Sequence, residues 1–202
     1  TTYSLEYSII ANKIIHNYDA SVISVSGLWG AGKTYLWKEI KNDSNDEKIR
    51  NSRYVSLYGI SNIKSLKEAL LRNILGNNEE RSNIRKRIGS LSSYATNVTS
   101  QFVKGVPAVL DFSDVALPYY LKGAFVVIDD IERFDKGFSI RQMMGFINEY
   151  VTQYQTRFLL IMNRDEMCPD DINSWEEMNE KIIDYEISHT ITPEEALRIA
   201  SI

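Results

Sequence analysis

An α/β fold on a mainly parallel sheet is what this sequence predicts, and three observations carry it. Short apolar strands alternate along the chain with amphipathic helices. Two of those strands, AFVVID (124–129) and RFLLIM (157–162), are apolar on both alternating faces, as strands covered on both sides are. The 202 residues show no internal repeat or low-complexity tract, and the length suffices for one sizeable core.

The elements follow in order. Tyr7, Ile10, Ile14 and Ile15 recur at helical spacing, so residues 4–17 read as an amphipathic helix. SVISVS (21–26) is β-branched and bounded by Asp19 and Gly27, a first strand. A helix is expected from Gly32 to about Ile40, then a polar, turn-rich loop over 41–52. RYVSLY (53–58) reads as a second strand, and SLKEALLRNIL (65–75) as a helix with Leu66, Ala69, Leu70 and Ile74 on one face. Residues 76–120 are read as an insertion of two helices with a connection punctuated by Pro107 and Pro118. Strand 124–129 comes next, then a helix opened by a capping box of Ser139 and Gln142 and running to about Tyr154. Strand 157–162 and a fifth strand over 184–191 complete the sheet. Thr192-Pro193-Glu194-Glu195 is a strong start for a further helical region. Its position at the end of the chain, and the absence of an initial Met, lead to the expectation that this domain, 1–202, is a piece of a longer protein.

Composition narrows the function. A hydrophobic fraction of 44% and a charged fraction of 25% are those of a globular protein. The net charge of −4 argues against a nucleic-acid binder working by bulk electrostatics. Cys168 is the single cysteine, so no internal disulfide or cysteine cluster forms, which fits a reducing compartment and a cytoplasmic location. No signal peptide is visible at the N-terminus. The longest apolar stretch, 103–128, is broken by Lys104, Asp111, Asp114 and Lys122, so it offers no membrane span of roughly 20 apolar residues.

The chemistry is concentrated in three segments. The first is GLWGAGKT (27–34), which matches G-x-x-x-x-G-K-[ST] between a strand and a helix. Glycines let the backbone turn tightly enough to aim successive N–H groups at phosphate oxygens, and the helix adds its positive end. The cradle comprises Gly27, Leu28, Trp29, Gly30, Ala31, Gly32, Lys33, Thr34 and Tyr35. Lys33 should reach the β- and γ-phosphates, and the Thr34 hydroxyl should ligate Mg²⁺.

The second segment is FVVIDDIER (125–133). Asp129, an acid at the end of an apolar strand, suits the metal side of a nucleotide site, opposite Thr34. Asp130 and Glu132 are further carboxylates, and either could orient or deprotonate an attacking water. The competing reading has these acids capping a strand end, with Glu132 in a structural ion pair with Arg133. The third segment, RFLLIMN (157–163), ends on Asn163, which could contact a γ-phosphate or the attacking water, or simply form a turn. The next three residues, Arg164-Asp165-Glu166, do not continue it into the N-K-x-D pattern that reads guanine, so ATP is preferred over GTP.

Together these segments resemble the KAP-type P-loop NTPases, a branch near the AAA+ and STAND ATPases. The likeness rests on GLWGAGKT, VSLYGI (55–60), VVIDDIER (126–133), LLIMNRDEM (159–167) and EKIIDYEI (180–187), in that order. It implies a three-layer P-loop core with strand order 5-1-4-3-2 and an insertion between the Walker A and Walker B motifs. It further implies Lys33 and Thr34 as contacts of ATP and Mg²⁺, Asp129 as the metal-side acid, Asp130 as the catalytic acid and Asn163 as a γ-phosphate sensor. Many members carry membrane helices in the insertion, which residues 76–120 here do not supply. The family's DDLDR pattern reads DDIER here, and Arg133 could act across a subunit contact or as a structural ion pair.

Other features carry less. The basic cluster NIRKRIG (83–89) with Arg81 reads as a solvated helix face, and a nucleic-acid contact there has no other support. His16 and His189 lack neighbours at metal-ligand spacing and read as structural. Tyr3, Tyr7 and Trp37 could border an adenine or pack in the core. The leading expectation is an ATP-hydrolysing regulatory core that switches contacts with a protein partner or further copies, with bacterial antiphage defence or signalling a setting suggested by the resemblance alone. The alternatives are a nucleotide-gated oligomerising switch with little turnover, and a small-molecule kinase, against which the lack of an acceptor site or Arg-rich lid counts.

Overall fold

The computed structural model describes residues 21–75 and 112–189. The helix expected at 4–17, the basic cluster at 83–89, most of the insertion, the helix start at 192 and His16, Tyr3 and Tyr7 lie outside the described residues.

Five strands form one all-parallel sheet: β1 (Val22–Ser26), β2 (Arg53–Ser56), β3 (Phe125–Asp129), β4 (Arg157–Met162) and β5 (Tyr185–Ser188). Their order is β2-β3-β4-β1-β5, the order the resemblance implied. The arrangement has three layers because the central strands are apolar on both faces. On β3 and β4, Val126, Ile128, Phe158, Leu160 and Met162 enter one core layer, while Phe125, Val127, Leu159 and Ile161 enter the other.

Helices cover the two layers. On the second face lie α1 (Lys33–Asp43), through Leu36, Trp37 and Ile40, and the one-turn α2 (Glu47–Arg50), through Ile49. Trp37 stacks on Phe125 with ring centroids 5.5 Å apart, so it belongs to the core. On the first face lie α3 (Ile63–Leu75), α4 (Phe112–Leu121), α5 (Ile140–Tyr154) and α6 (Pro169–Ile182). Both halves of the capping box form at α5: the Ser139 side chain accepts from the Gln142 N–H, and the Gln142 side chain accepts from the Ser139 N–H.

Two expectations are corrected, and one helix is added. The loop expected over 41–52 holds the last turn of α1 and then α2, whose N-terminus is capped by Asp46 accepting the Lys48 N–H at 2.8 Å. Pro118 does not punctuate a connection but lies inside α4, a helix held by packing between α3 and α5 strongly enough to override a poor helix former. Helix α6 occupies residues for which the sequence pattern predicts no element, because only Trp175 among them is fully buried and the apolar stripe is thin. No helix among the described residues is long and apolar enough to cross a membrane.

Parallel strands place all their carboxyl ends on one edge. After β1 the chain crosses toward β2 on one side and after β4 toward β5 on the other, so these two neighbouring strands leave in opposite directions, the place where open parallel sheets form a crevice. That edge carries the three segments singled out by sequence.

Candidate functional site

The residues after β1 form the loop. The Gly27 N–H is bound to the Met162 carbonyl at 3.2 Å, and the Ala31 N–H to the Leu28 carbonyl at 3.1 Å. Gly30 and Gly32 have φ of 77° and 76°, which a side chain would strain. At Gly27 the constraint is space, since a Cβ there would collide with the His189 carbonyl oxygen. The loop closes into α1, where the Leu36 N–H bonds the Gly32 carbonyl at 2.8 Å.

Lys33 folds back over this loop and donates to the carbonyls of Gly27 (2.6 Å) and Leu28 (2.9 Å). Burial pulls its ammonium below the ordinary value of 10.5, against the upward influence of Glu132, Asp129 and Asp130, while Arg133 adds to the lowering. Thr34, one residue on, donates its hydroxyl to Asp129 Oδ2 at 2.8 Å across 95 positions of sequence. Asp129 is nearly buried, and its other oxygen, Oδ1, accepts the Asp130 N–H at 2.8 Å.

The remaining acids are each held. Asp130 Oδ2 accepts from the Ser56 hydroxyl at 2.6 Å, and Asp130 stands in the left-handed region with φ 55°. Glu132 Oε2 accepts the Asn163 N–H at 3.0 Å, while Arg133 lies 3.7 Å from Glu132 Oε1 and 3.8 Å from Asp130 Oδ1. The Arg133 guanidinium also lies over the Trp29 ring, 5.5 Å from its centroid, although Trp29 is 78% exposed. Asn163 is buried, and its side-chain oxygen has no hydrogen-bond partner among the described residues.

A cleft of about 260 Å³ joins the segments. It is lined by Trp29, Gly30, Gly32, Lys33, Thr34 and Tyr35 from the loop and α1, with Asp129, Asp130 and Glu132 opposite. Gly27, Leu28 and Ala31 are not among its lining residues, nor is Asn163, whose backbone N–H binds Glu132. A second hollow of about 280 Å³, lined by Trp29, Glu132, Arg133 and Glu166, adjoins it. Thr34 Oγ1 and the Asp129 carboxylate are paired hard-oxygen donors beside a cationic cradle, a set that fits Mg²⁺ completed by phosphate oxygens.

Three contributors escape the sequence. Tyr54 and Ser56, two apart on β2 and so on one face, reach Asp129 and Asp130; the Tyr54 hydroxyl donates to Asp129 Oδ2 at 2.8 Å. Burial, and then Asp129, push the Tyr54 phenol well above its ordinary range, so it stays a donor. His189, which the sequence marks only as a structural residue, donates from Nε2 to the Ala31 carbonyl at 2.8 Å, tying the end of β5 to the loop. The pairing of β2 with β3, and of β5 with β1, sets these side chains against the two acids and the loop.

Comparison with known proteins gives a family model, described as the KAP family P-loop domain, that matches residues 3–111. No curated protein sequence matches the chain. Among solved structures, the ORC2 protein of Aeropyrum pernix, in ADPNP–ADP complexes, aligns with a TM-score of 0.55 at 14% identity, over 97% of this chain and 50% of that one. Cdc6p from Pyrobaculum aerophilum gives 0.48 at 13% identity, over 97% and 48%. AMPPCP-bound DnaA from Aquifex aeolicus gives 0.46 at 13%, over 98% and 51%. The chain spans about half the length of these structures, and the likeness to the ORC2 protein is one of fold.

Proposed function

The chain belongs to the KAP family of P-loop domains, and on that premise we propose that it binds Mg·ATP and hydrolyses it as a regulatory core. The observation that carries this reading is the Thr34–Asp129 hydrogen bond, which closes the loop and the β3 acid around one point beside Lys33. Lys33 would exchange its two loop carbonyls for the terminal phosphates, a charge-assisted contact that offsets its burial. Thr34 and Asp129 would hold Mg²⁺, which when bound neutralises charge on the phosphates. Water attacks the γ-phosphorus, its proton passes to a carboxylate, and the bond to the ADP oxygen breaks. Asp130 is assigned as the proton acceptor, with Glu132 beside it; Asn163 would meet the γ-phosphate or the water. ATP rather than GTP is the nucleotide, because the chain after Asn163 lacks the guanine-reading pattern.

A second reading has its own observation. Asp130 is held by Ser56, and Glu132 by Asn163 and Arg133, so both candidate bases have partners in this conformation. A domain so arranged fits a switch that holds ATP and turns it over only when a protein partner or a further copy releases one base. The wider setting, signalling or antiphage defence in bacteria, is proposed from the resemblance alone.

Phosphate release from Mg·ATP, with Mg·GTP alongside, tests both readings. Turnover selective for ATP is expected, with Lys33→Ala losing binding and turnover. Asp130→Asn should keep binding and slow cleavage by about 10²–10⁴-fold. Unchanged affinity in Lys33→Ala would sink the phosphate cradle; an unchanged rate in Asp130→Asn moves the base to Glu132. Tight binding with no turnover selects the switch.

A further inference from the structure

We propose that Tyr54 is a positioning residue for the metal-side carboxylate: its hydroxyl, with that of Thr34, saturates one oxygen of Asp129 and leaves the other to serve the cation's coordination shell. The proposal deepens the function just argued and rests on its reading of Asp129.

The argument is one of hydrogen-bonding capacity. A carboxylate has roughly four lone-pair positions, two on each oxygen. Oδ2 of Asp129 accepts from Thr34 Oγ1 and from Tyr54 Oη, each at 2.8 Å, and is full. Among the described residues Oδ1 accepts a single N–H, that of Asp130, and keeps capacity for one more partner. Thr34 spends its only proton on Oδ2, which leaves its lone pairs to the cation. Tyr54 therefore decides which carboxylate oxygen stays open. The torsion that orients an Asp carboxylate is soft and nearly two-fold, so backbone alone does not make this choice. Asp129 is 4% exposed, so bulk water has little access to replace the phenol's proton.

Tyr54 is itself well held. It lies on β2 beside Val127 of β3, two positions before Asp129, and its ring packs on the second core layer. Asn73 of α3 donates its side-chain N–H to the Tyr54 carbonyl at 2.5 Å. The remaining role open to the ring is core packing, which phenylalanine preserves and the hydroxyl does not contribute.

A fluorescent ATP analogue provides the test, bound first without metal and then titrated with Mg²⁺, for the parent chain, Tyr54→Phe and Asp129→Asn. Tyr54→Phe should leave metal-free affinity unchanged while the Mg²⁺ concentration for half-maximal effect rises roughly tenfold, as outer-shell partners of metal ligands typically require. Asp129→Asn should shift the same midpoint at least as far. If Asp129→Asn shifts it and Tyr54→Phe does not, the positioning role fails while the site assignment stands. If neither variant shifts it, the assignment of Asp129 fails and takes the proposal with it. If Tyr54→Phe loses thermal stability and metal-free affinity together, the hydroxyl supports the fold at large and not the metal-side carboxylate, and the proposal is likewise overturned.

Discussion

Lys33 sits under opposed influences that nucleotide binding should resolve. Burial lowers its pKa below 10.5 despite three carboxylates nearby, whereas phosphate oxygens at hydrogen-bond distance would raise it. The free site thus begins to release the Lys33 proton at a lower pH than the occupied site does. Between those two values binding must take up a proton, and affinity must fall as pH rises through the lowered value. Stability of the free protein runs the other way. The unfolded lysine holds its proton more tightly than the folded one, so stability rises with pH across the window between the lowered value and 10.5. Calorimetric titration of Mg·ATP in two alkaline buffers of different ionisation enthalpy should show net proton uptake on binding. Equal apparent enthalpies in both buffers would mean that Lys33 does not change its environment. Asp130 is the second residue under strain, since a side chain in the left-handed region costs roughly 1–2 kcal/mol. Its hydrogen bond from Ser56 helps hold that geometry, and a carboxylate kept at such a cost beside the cleft is where a catalytic group would be expected.

At the scale of the elements, the junction of β1, the loop and β5 is the tightest. The His189 N–H bonds the Ser26 carbonyl at 2.6 Å, its ring bonds Ala31, and its carbonyl leaves no room for a Cβ at Gly27. Gly27→Ala must therefore displace backbone, not a flexible side chain. The expected loss is about 1–3 kcal/mol of stability, read by chemical denaturation, with weakened nucleotide binding. Gly145→Ala in α5 is the control: nothing lies within 4 Å of its added Cβ, and helix propensity should return up to about 1 kcal/mol. Equal stability of the two variants would show that β5 yields to the loop. The same contrast explains what the sequence could reveal. Lys33, Thr34 and Asp129 are legible because motif spacing and an apolar strand announce them locally. The strands with two apolar faces are legible for the same reason, and Arg157–Met162 forms over the residues expected. Tyr54, Ser56 and His189 are not, because a polar side chain on or just after a strand meets the site only through the neighbouring strand in the sheet. Helix α6 is hidden by its charged surface, although Pro169 at its first turn is the available signal.

For the whole molecule, the parallel sheet gathers the ends of β1, β3 and β4 at one edge, and a ligand bound there touches segments from residue 29 to residue 162. Such a ligand bridges parts of the chain that unfolding must separate, so its binding energy becomes folding energy. At a concentration about 100 times its dissociation constant, Mg·ATP should add roughly 2.7 kcal/mol. For a domain of this size that corresponds to a rise of about 5–10 °C in Tm. Lys33→Ala should remain folded and lose the rise, because among the described residues its side-chain hydrogen bonds go to loop carbonyls and it is not part of either core layer. Omitting Mg²⁺ should remove part of the effect, since Thr34 and Asp129 would then join loop to sheet through their hydrogen bond alone. An equal rise in Lys33→Ala would place the stabilising nucleotide somewhere other than this edge, and the cleft would lose its assignment.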